Sequence, residues 1–132
     1  MIIQGSDGSA QLELSEPEGL LKPDGREYYR VTLRDEGLVA SMKVYAFVPT
    51  AESLDRFLRA IAENWRGWSD EKRWSSLEGE FRLACTHDGL GHIRFEATLD
   101  SPVGWFVSSR VTVAAGDLDH IAIEAARFFK VD

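Results

Sequence analysis

A chain of 132 residues, 44% hydrophobic and 28% charged, has the size of one domain (residues 1–132) able to bury a real core, and the composition of a soluble globular protein. No apolar run approaches the roughly 18 residues that span a bilayer, and the start has no basic stretch leading into an apolar one; a membrane partner and a secretory leader are therefore not expected. One cysteine, Cys85, leaves no intramolecular disulfide and fits a reducing, cytoplasmic setting, while a net charge of −7 sets the overall field against nucleic acid.

In chain order, residues 11–15 (QLELS) suit a short edge strand, and the prolines and Pro-Asp-Gly of the residues after them suit a loop. Residues 27–35 alternate, with Tyr29, Val31 and Leu33 on one side and Tyr28, Arg30, Thr32 and Arg34 on the other. Residues 39–48 continue the pattern, setting Met42, Val44, Ala46 and Val48 against Ser41, Lys43, Tyr45 and Phe47. Both patterns predict half-buried strands. At Pro49 the period changes: Leu54, Phe57, Leu58, Ile61, Ala62 and Trp65 recur at helical spacing, with Thr50 as N-cap and Gly67 as terminator.

Alternation then returns three times. Leu77, Gly79, Phe81, Leu83 and Cys85 form one inward row. Ile93, Phe95, Ala97 and Leu99 form the next, and Trp105, Val107, Val111 and Val113 the third. Asp117 caps a closing helix with an apolar stripe of Leu118, Ile121, Ala122, Ala125, Phe128 and Phe129. The predicted order is βββα–βββα. It implies an α+β fold with an antiparallel sheet of about six strands and two helices on one face, open or partly closed into a barrel.

Trp65, Trp68, Trp74, Leu77, Glu78 and Gly79 make the pattern W-x-x-W-x5-W-x-x-L-E-G, followed by RLACTHDGLGH. From Phe57 onward the chain resembles a small bacterial domain family of unknown function, and the first fifty residues carry little of that resemblance. It implies one domain and a bacterial source, with no activity, cofactor or catalytic residue.

Three groups carry possible chemistry. His87, Asp88 and His92 have the residue types of a divalent-metal site, but a catalytic zinc needs about three protein ligands. The same stretch has the Asp-Gly and second glycine of a hairpin tip. Trp65, Trp68 and Trp74 offer either a binding corner or a cap on the core, with Arg66, Lys72 and Arg73 beside them. On the outward sheet face, Tyr28, Arg30, Arg34, Lys43 and Tyr45 form a cationic and aromatic set on an acidic molecule, the residue types of interaction surfaces. Glu78, Glu80, Arg82, Arg94, Glu96 and Arg110 instead alternate in sign, as on a solvated face.

Cys85 falls in an inward row, and no nucleophile elbow, dinucleotide fingerprint or phosphate loop is present. The expectation is a non-catalytic bacterial module, without cofactor, that recognises a protein partner through Tyr28, Arg30, Lys43, Tyr45, Trp68 and Trp74. An immunity-type protein that neutralises a toxin suits its size and acidity. A small-ligand binder or metal-dependent enzyme built on His87, Asp88 and His92 is the alternative. A purely structural homodimer through a sheet edge is a third reading, so the state is monomer or homodimer.

Overall fold

The computed structural model describes residues 1–6, 8–18, 27–47 and 52–129. Its elements are β1 (Ile2–Gln4), β2 (Gln11–Glu18), β3 (Tyr28–Asp35), β4 (Leu38–Tyr45), α1 (Leu54–Glu63), β5 (Lys72–Ser75), β6 (Phe81–His87), β7 (His92–Asp100), β8 (Phe106–Ala114), a 3-10 turn (Ala115–Asp117) and α2 (Leu118–Phe128). The strands form two antiparallel sheets, β1-β2-β3-β4 and β5-β6-β7-β8. The fold is α+β, but the single six-stranded sheet in the order βββα–βββα is corrected to two four-stranded sheets in the order ββββα–ββββα.

The two extra strands are short. β1 has three residues and β5 has four, too few for alternation to announce them. β1 pairs with β2 through Ile3↔Leu12, so residues 11–15 belong to an interior strand and not an edge. β2 also runs on through Glu16–Glu18, where the register with β3 shifts and Glu16 adopts φ 49°. Pro17 is tolerated there because a bulge leaves its missing N–H without a ladder bond to make. The Pro-Asp-Gly segment, Val48 and Thr50 lie outside the described residues.

Register explains the core. Ile3, Leu12, Leu33 and Ala40 form one row across the first sheet, and Leu14, Val31 and Met42 another. In the second sheet the rows are Trp74–Leu83–Ala97–Ser109, Cys85–Phe95–Val111 and Phe81–Leu99–Val107. The buried apolar residues of these rows, Leu54, Leu58, Ile61 and Ala62 of α1, and Leu118, Ile121 and Ala125 of α2 belong to one buried cluster, with the partly buried Met42 and Val107 packed against it. Each fully buried Leu, Ile or Phe contributes about 1.5–3 kcal/mol by leaving water.

α1 and α2 pack against each other, and Tyr29 of β3 meets Phe128 and Phe129 edge-on, with centroids 6.1 and 5.4 Å away. The cap of α1 is Ser53. The helix stops at Glu63, where the Asn64 amide donates to the Ala60 carbonyl at 2.7 Å. Gly67, at φ 140°, turns the chain after it. Trp65 therefore lies beyond the helix and is half exposed instead of closing its stripe. The Ser76 N–H donates to the Phe81 carbonyl at 2.8 Å and closes the β5–β6 turn. Leu77 and Gly79 sit in that turn, so Leu77 is exposed and not part of the inward row.

The two sheets touch along β1 and β8. The Ser6 N–H donates to the Thr112 carbonyl at 2.9 Å. A Cβ on Gly5 would stand 3.2 Å from the Ala10 carbonyl oxygen and 3.8 Å from Val111, so the chain passes this seam on a residue without one.

Candidate functional site

Tyr28, Arg30, Lys43 and Tyr45 do come together. Antiparallel pairing sets Tyr28 opposite Tyr45 and Arg30 opposite Lys43. The two tyrosine rings are 5.4 Å apart, the Tyr45 ring stacks on Phe47 at 6.2 Å, and the Lys43 ammonium lies 5.4 Å from the Tyr28 ring. Phe47, 52% exposed, extends the aromatic row at the end of β4. Among the described residues β4 has a strand on one side only.

The cations of this face are not free, however. Arg30 pairs with Glu16 at 2.7 Å, Arg34 with Glu13 at 2.8 Å and Lys43 with Glu18 at 3.0 Å. All three glutamates come from β2, whose length and register the sequence did not announce. A patch expected to be cationic is therefore charge-balanced, and what remains distinctive is its aromatic row. Exposed pairs of this kind contribute about 0–1 kcal/mol each, so they orient side chains more than they stabilise the fold.

The three tryptophans take three different roles. Trp74 is buried in the core, edge-on to Phe81 at 5.4 Å, and its indole N–H donates to the Glu52 carbonyl at the approach to α1. That burial corrects the expectation that Trp74 is part of an exposed binding surface. Trp68 is half-buried; its indole N–H donates to the Cys85 carbonyl at 3.3 Å, and its ring stands edge-on to His87 at 5.2 Å. Trp65 lies outermost, with the Arg66 guanidinium 5.1 Å from its ring.

The histidine stretch is a hairpin tip. Asp88 Oδ1 accepts from the Leu90 N–H at 2.6 Å and the His92 N–H at 3.0 Å, while Asp88 Oδ2 faces His92 Nδ1 at 2.9 Å. Those donated backbone hydrogen bonds, Leu90 first, hold the Asp88 carboxyl below its usual range. Gly89 and Gly91 supply the positive φ that the tip requires, 77° and 91°.

His87 and His92 leave the hairpin on opposite faces. His87 is paired with Ile93 of the inward row, and His92 is its neighbour of opposite phase. His87 Nδ1 accepts from the Gly89 N–H at 2.9 Å, so Nε2 carries the proton and donates to the Trp65 carbonyl at 2.9 Å. Both nitrogens of His87 are thus engaged, and no lone pair is left for a metal. Among the described residues no group of three His, Cys, Asp or Glu side chains converges on a point that could hold a metal ion. The alternation of a strand is the physical reason: residues at odd separation point apart.

Cys85 is fully buried, and burial pushes its thiol well above the usual range, the opposite of an activated nucleophile. Glu80 is half-buried and its carboxyl is raised, first by desolvation. It accepts a hydrogen bond from Ser76 and adds to the upward push on the buried Tyr29 hydroxyl.

Two features escaped the sequence. An open hollow of about 440 Å³ lies over the outer face of the second sheet, between Arg73, Ser75, Arg82, Ala84, Glu96 and Thr98. A groove of about 510 Å³ separates α1 from β5, lined by Arg56, Phe57, Ala60, Arg73 and Ser75. The charge alternation of residues 78–110 hinted at the first, but nothing signalled the second, because β5 itself was not legible.

This architecture defines an α+β protein of paired antiparallel meanders, each followed by one helix. The chain belongs to DUF6228, a family of unknown function whose model matches residues 3–132. The match takes in the first fifty residues, where the tryptophan pattern gave no guidance. No curated protein matches the chain. No helix among the described residues is long and apolar enough to cross a membrane.

Proposed function

We propose that the protein is a non-catalytic binding module that recognises a protein partner through the outer face of its first sheet. The observation that carries this reading is the aromatic row of Tyr28, Tyr45 and Phe47 beside Lys43 on one face of the first sheet. Tyrosines present a large rigid surface with a polar tip and lose little entropy when covered. The internal ion pairs with Glu13, Glu16 and Glu18 let the face be covered without stranding a lone charge. An immunity-type role is the form this reading takes if the partner is a toxin.

The test is affinity capture from native bacterial lysate with the tagged chain and with a Tyr28→Ala/Tyr45→Ala variant shown by circular dichroism to be folded. A stoichiometric partner held by the parent and weakened about tenfold or more by the variant is expected, the loss typical of hot-spot truncation. Equal capture by both proteins would sink the assignment of this face.

A further inference from the structure

A small cavity of about 30 Å³ lies where the first turn of α1 meets the start of β3 and the end of β4, lined by Tyr29, Tyr45, Ser53, Asp55, Trp74 and Phe129. A water molecule needs about 10–15 Å³ of such space, so there is room for one or two groups of that size.

Two side chains on this lining are buried and polar, and neither has a partner. Asp55 is 8% exposed and Tyr29 2%. Among the described residues the Asp55 carboxylate has no ion pair and no hydrogen bond, and the Tyr29 hydroxyl makes no hydrogen bond. No sealed polar atom of the described residues lacks a partner. Both groups therefore keep their small remaining access through open space, and the cavity is a space they share. Asp55 sits in the first turn of α1, where the helix dipole favours its charge without neutralising it. Buried carboxylates are ordinarily paired or hydrogen-bonded, so this one calls for a group that the described chain does not supply.

The lining selects a compact cation. Arg56 and Arg59, the cations nearest to Asp55 in the chain, are exposed. Glu80 adds a charge of the same sign as Asp55, close enough to be felt at Tyr29. Four aromatic side chains, Tyr29, Tyr45, Trp74 and Phe129, stand around the space. Aromatic faces attract a cation within about 6 Å, and ammonium groups are the ligands such settings recognise. A divalent metal fits less well: calcium takes about six to eight oxygen ligands and magnesium a near-ideal octahedron, against one carboxylate here. A water molecule supplies hydrogen bonds but leaves the carboxylate charge uncompensated.

We propose that this cavity binds a primary ammonium group, with Asp55 as its counter-ion, the Tyr29 hydroxyl as a second acceptor and the rings as a cation–π wall. The ammonium belongs to a free small amine or to a lysine side chain of a protein, and the chemistry is the same for both. Tyr29 lies in the inward row of β3, behind the aromatic face of the first sheet. Either assignment can therefore fail without the other.

The experiment follows amide NMR of the full chain during titration with methylammonium chloride, with sodium chloride at equal ionic strength as the reference. Methylammonium should shift the Tyr29 and Asp55 amides saturably, with a Kd on the order of 10 mM, near the ceiling for two non-hydrogen atoms. Sodium should leave them in place. Asp55→Asn keeps the shape, removes the charge and weakens binding about tenfold, while Tyr28→Ala leaves binding unchanged. Binding of Nα-acetyl-lysine-amide with the same dependence on Asp55 assigns the ammonium to a protein side chain; binding of methylammonium alone assigns it to a free amine. The proposal is overturned if neither amide responds at about 100 mM methylammonium, the result for a cavity that takes only water. It is also overturned if sodium produces the same shifts, or if folded Asp55→Asn binds as tightly as the parent. The titration of the parent decides even where the variant does not fold.

Discussion

The outer faces of the two sheets are built from the same kinds of residue and reach different states. On the first, β2 lies between β1 and β3, and its glutamates neutralise the cations of β3 and β4 one by one. On the second, Arg110 pairs with Glu96 at 3.1 Å, but Arg82 reaches Asp100 only at 3.8 Å and leans over the Phe106 ring at 5.8 Å. The small residues Ala84 and Thr98 leave a hollow between these longer side chains. Strand position teaches more here than composition. Acids delivered by a neighbouring interior strand close a face, whereas a short strand that has a neighbour on one side only among the described residues leaves space open beside it.

The comparison breaks first, if at all, in the core. Leu33 and Phe95 are both fully buried, one in each sheet. Leu33→Ala should cost about 2–5 kcal/mol and Phe95→Ala about 3–5 kcal/mol. Because both belong to one cluster, either change should shift a single denaturant transition detected alike by tryptophan fluorescence and circular dichroism. Two separated transitions would show that the sheets differ in stability as well as in surface.

A smaller effect sharpens the account of the second sheet. His87→Ala removes two hydrogen bonds to backbone and the contact with Trp68. A loss of about 1–2 kcal/mol in denaturant is expected from two net bonds, and zinc should give no stoichiometric heat by calorimetry with either protein. A one-to-one zinc complex of the parent chain would mean that the tip rearranges to free a His87 nitrogen.

The smallest effect concerns Glu80, whose charge is felt by Tyr29 of the other sheet. Its carboxyl is raised in the folded state, so the native chain holds this proton more tightly than the unfolded one, and the group favours folding more as pH falls through its folded value. Glu80→Gln should therefore be at least as stable as the parent at pH 7. That advantage should shrink as the pH falls through the folded value and vanish well below about 4, where the parent glutamate is protonated in both states. A difference between the two proteins that stays flat with pH would contradict the assigned shift.

Much of the fold was legible because long strands repeat their evidence. Ile93, Phe95, Ala97 and Leu99 sit buried on alternate positions as the pattern required, and Leu54, Leu58, Ile61 and Ala62 do so on α1. β1 and β5 were not legible: β5 offers a single buried side chain, Trp74, between charged and small neighbours. The consequence carried into the site. Tyr28, Arg30, Lys43 and Tyr45 could be placed on one face from local alternation alone. Their glutamate partners depend on the pairing of β2 with β3 across an undescribed connection and a bulge, which no local period encodes.

The seam between Ser6 and Thr112 joins residues 106 positions apart, so the order of synthesis matters for this molecule. The first meander can leave the ribosome with its own ladder complete while β8 is still untranslated. Its β1 side is then an unmated border until β8 has emerged. A border of only three residues is a weak template for pairing with another chain, and its brevity protects the nascent protein during that interval. Joining the seam comes late, because loop closure is entropically costly before the remaining contacts exist to reward it.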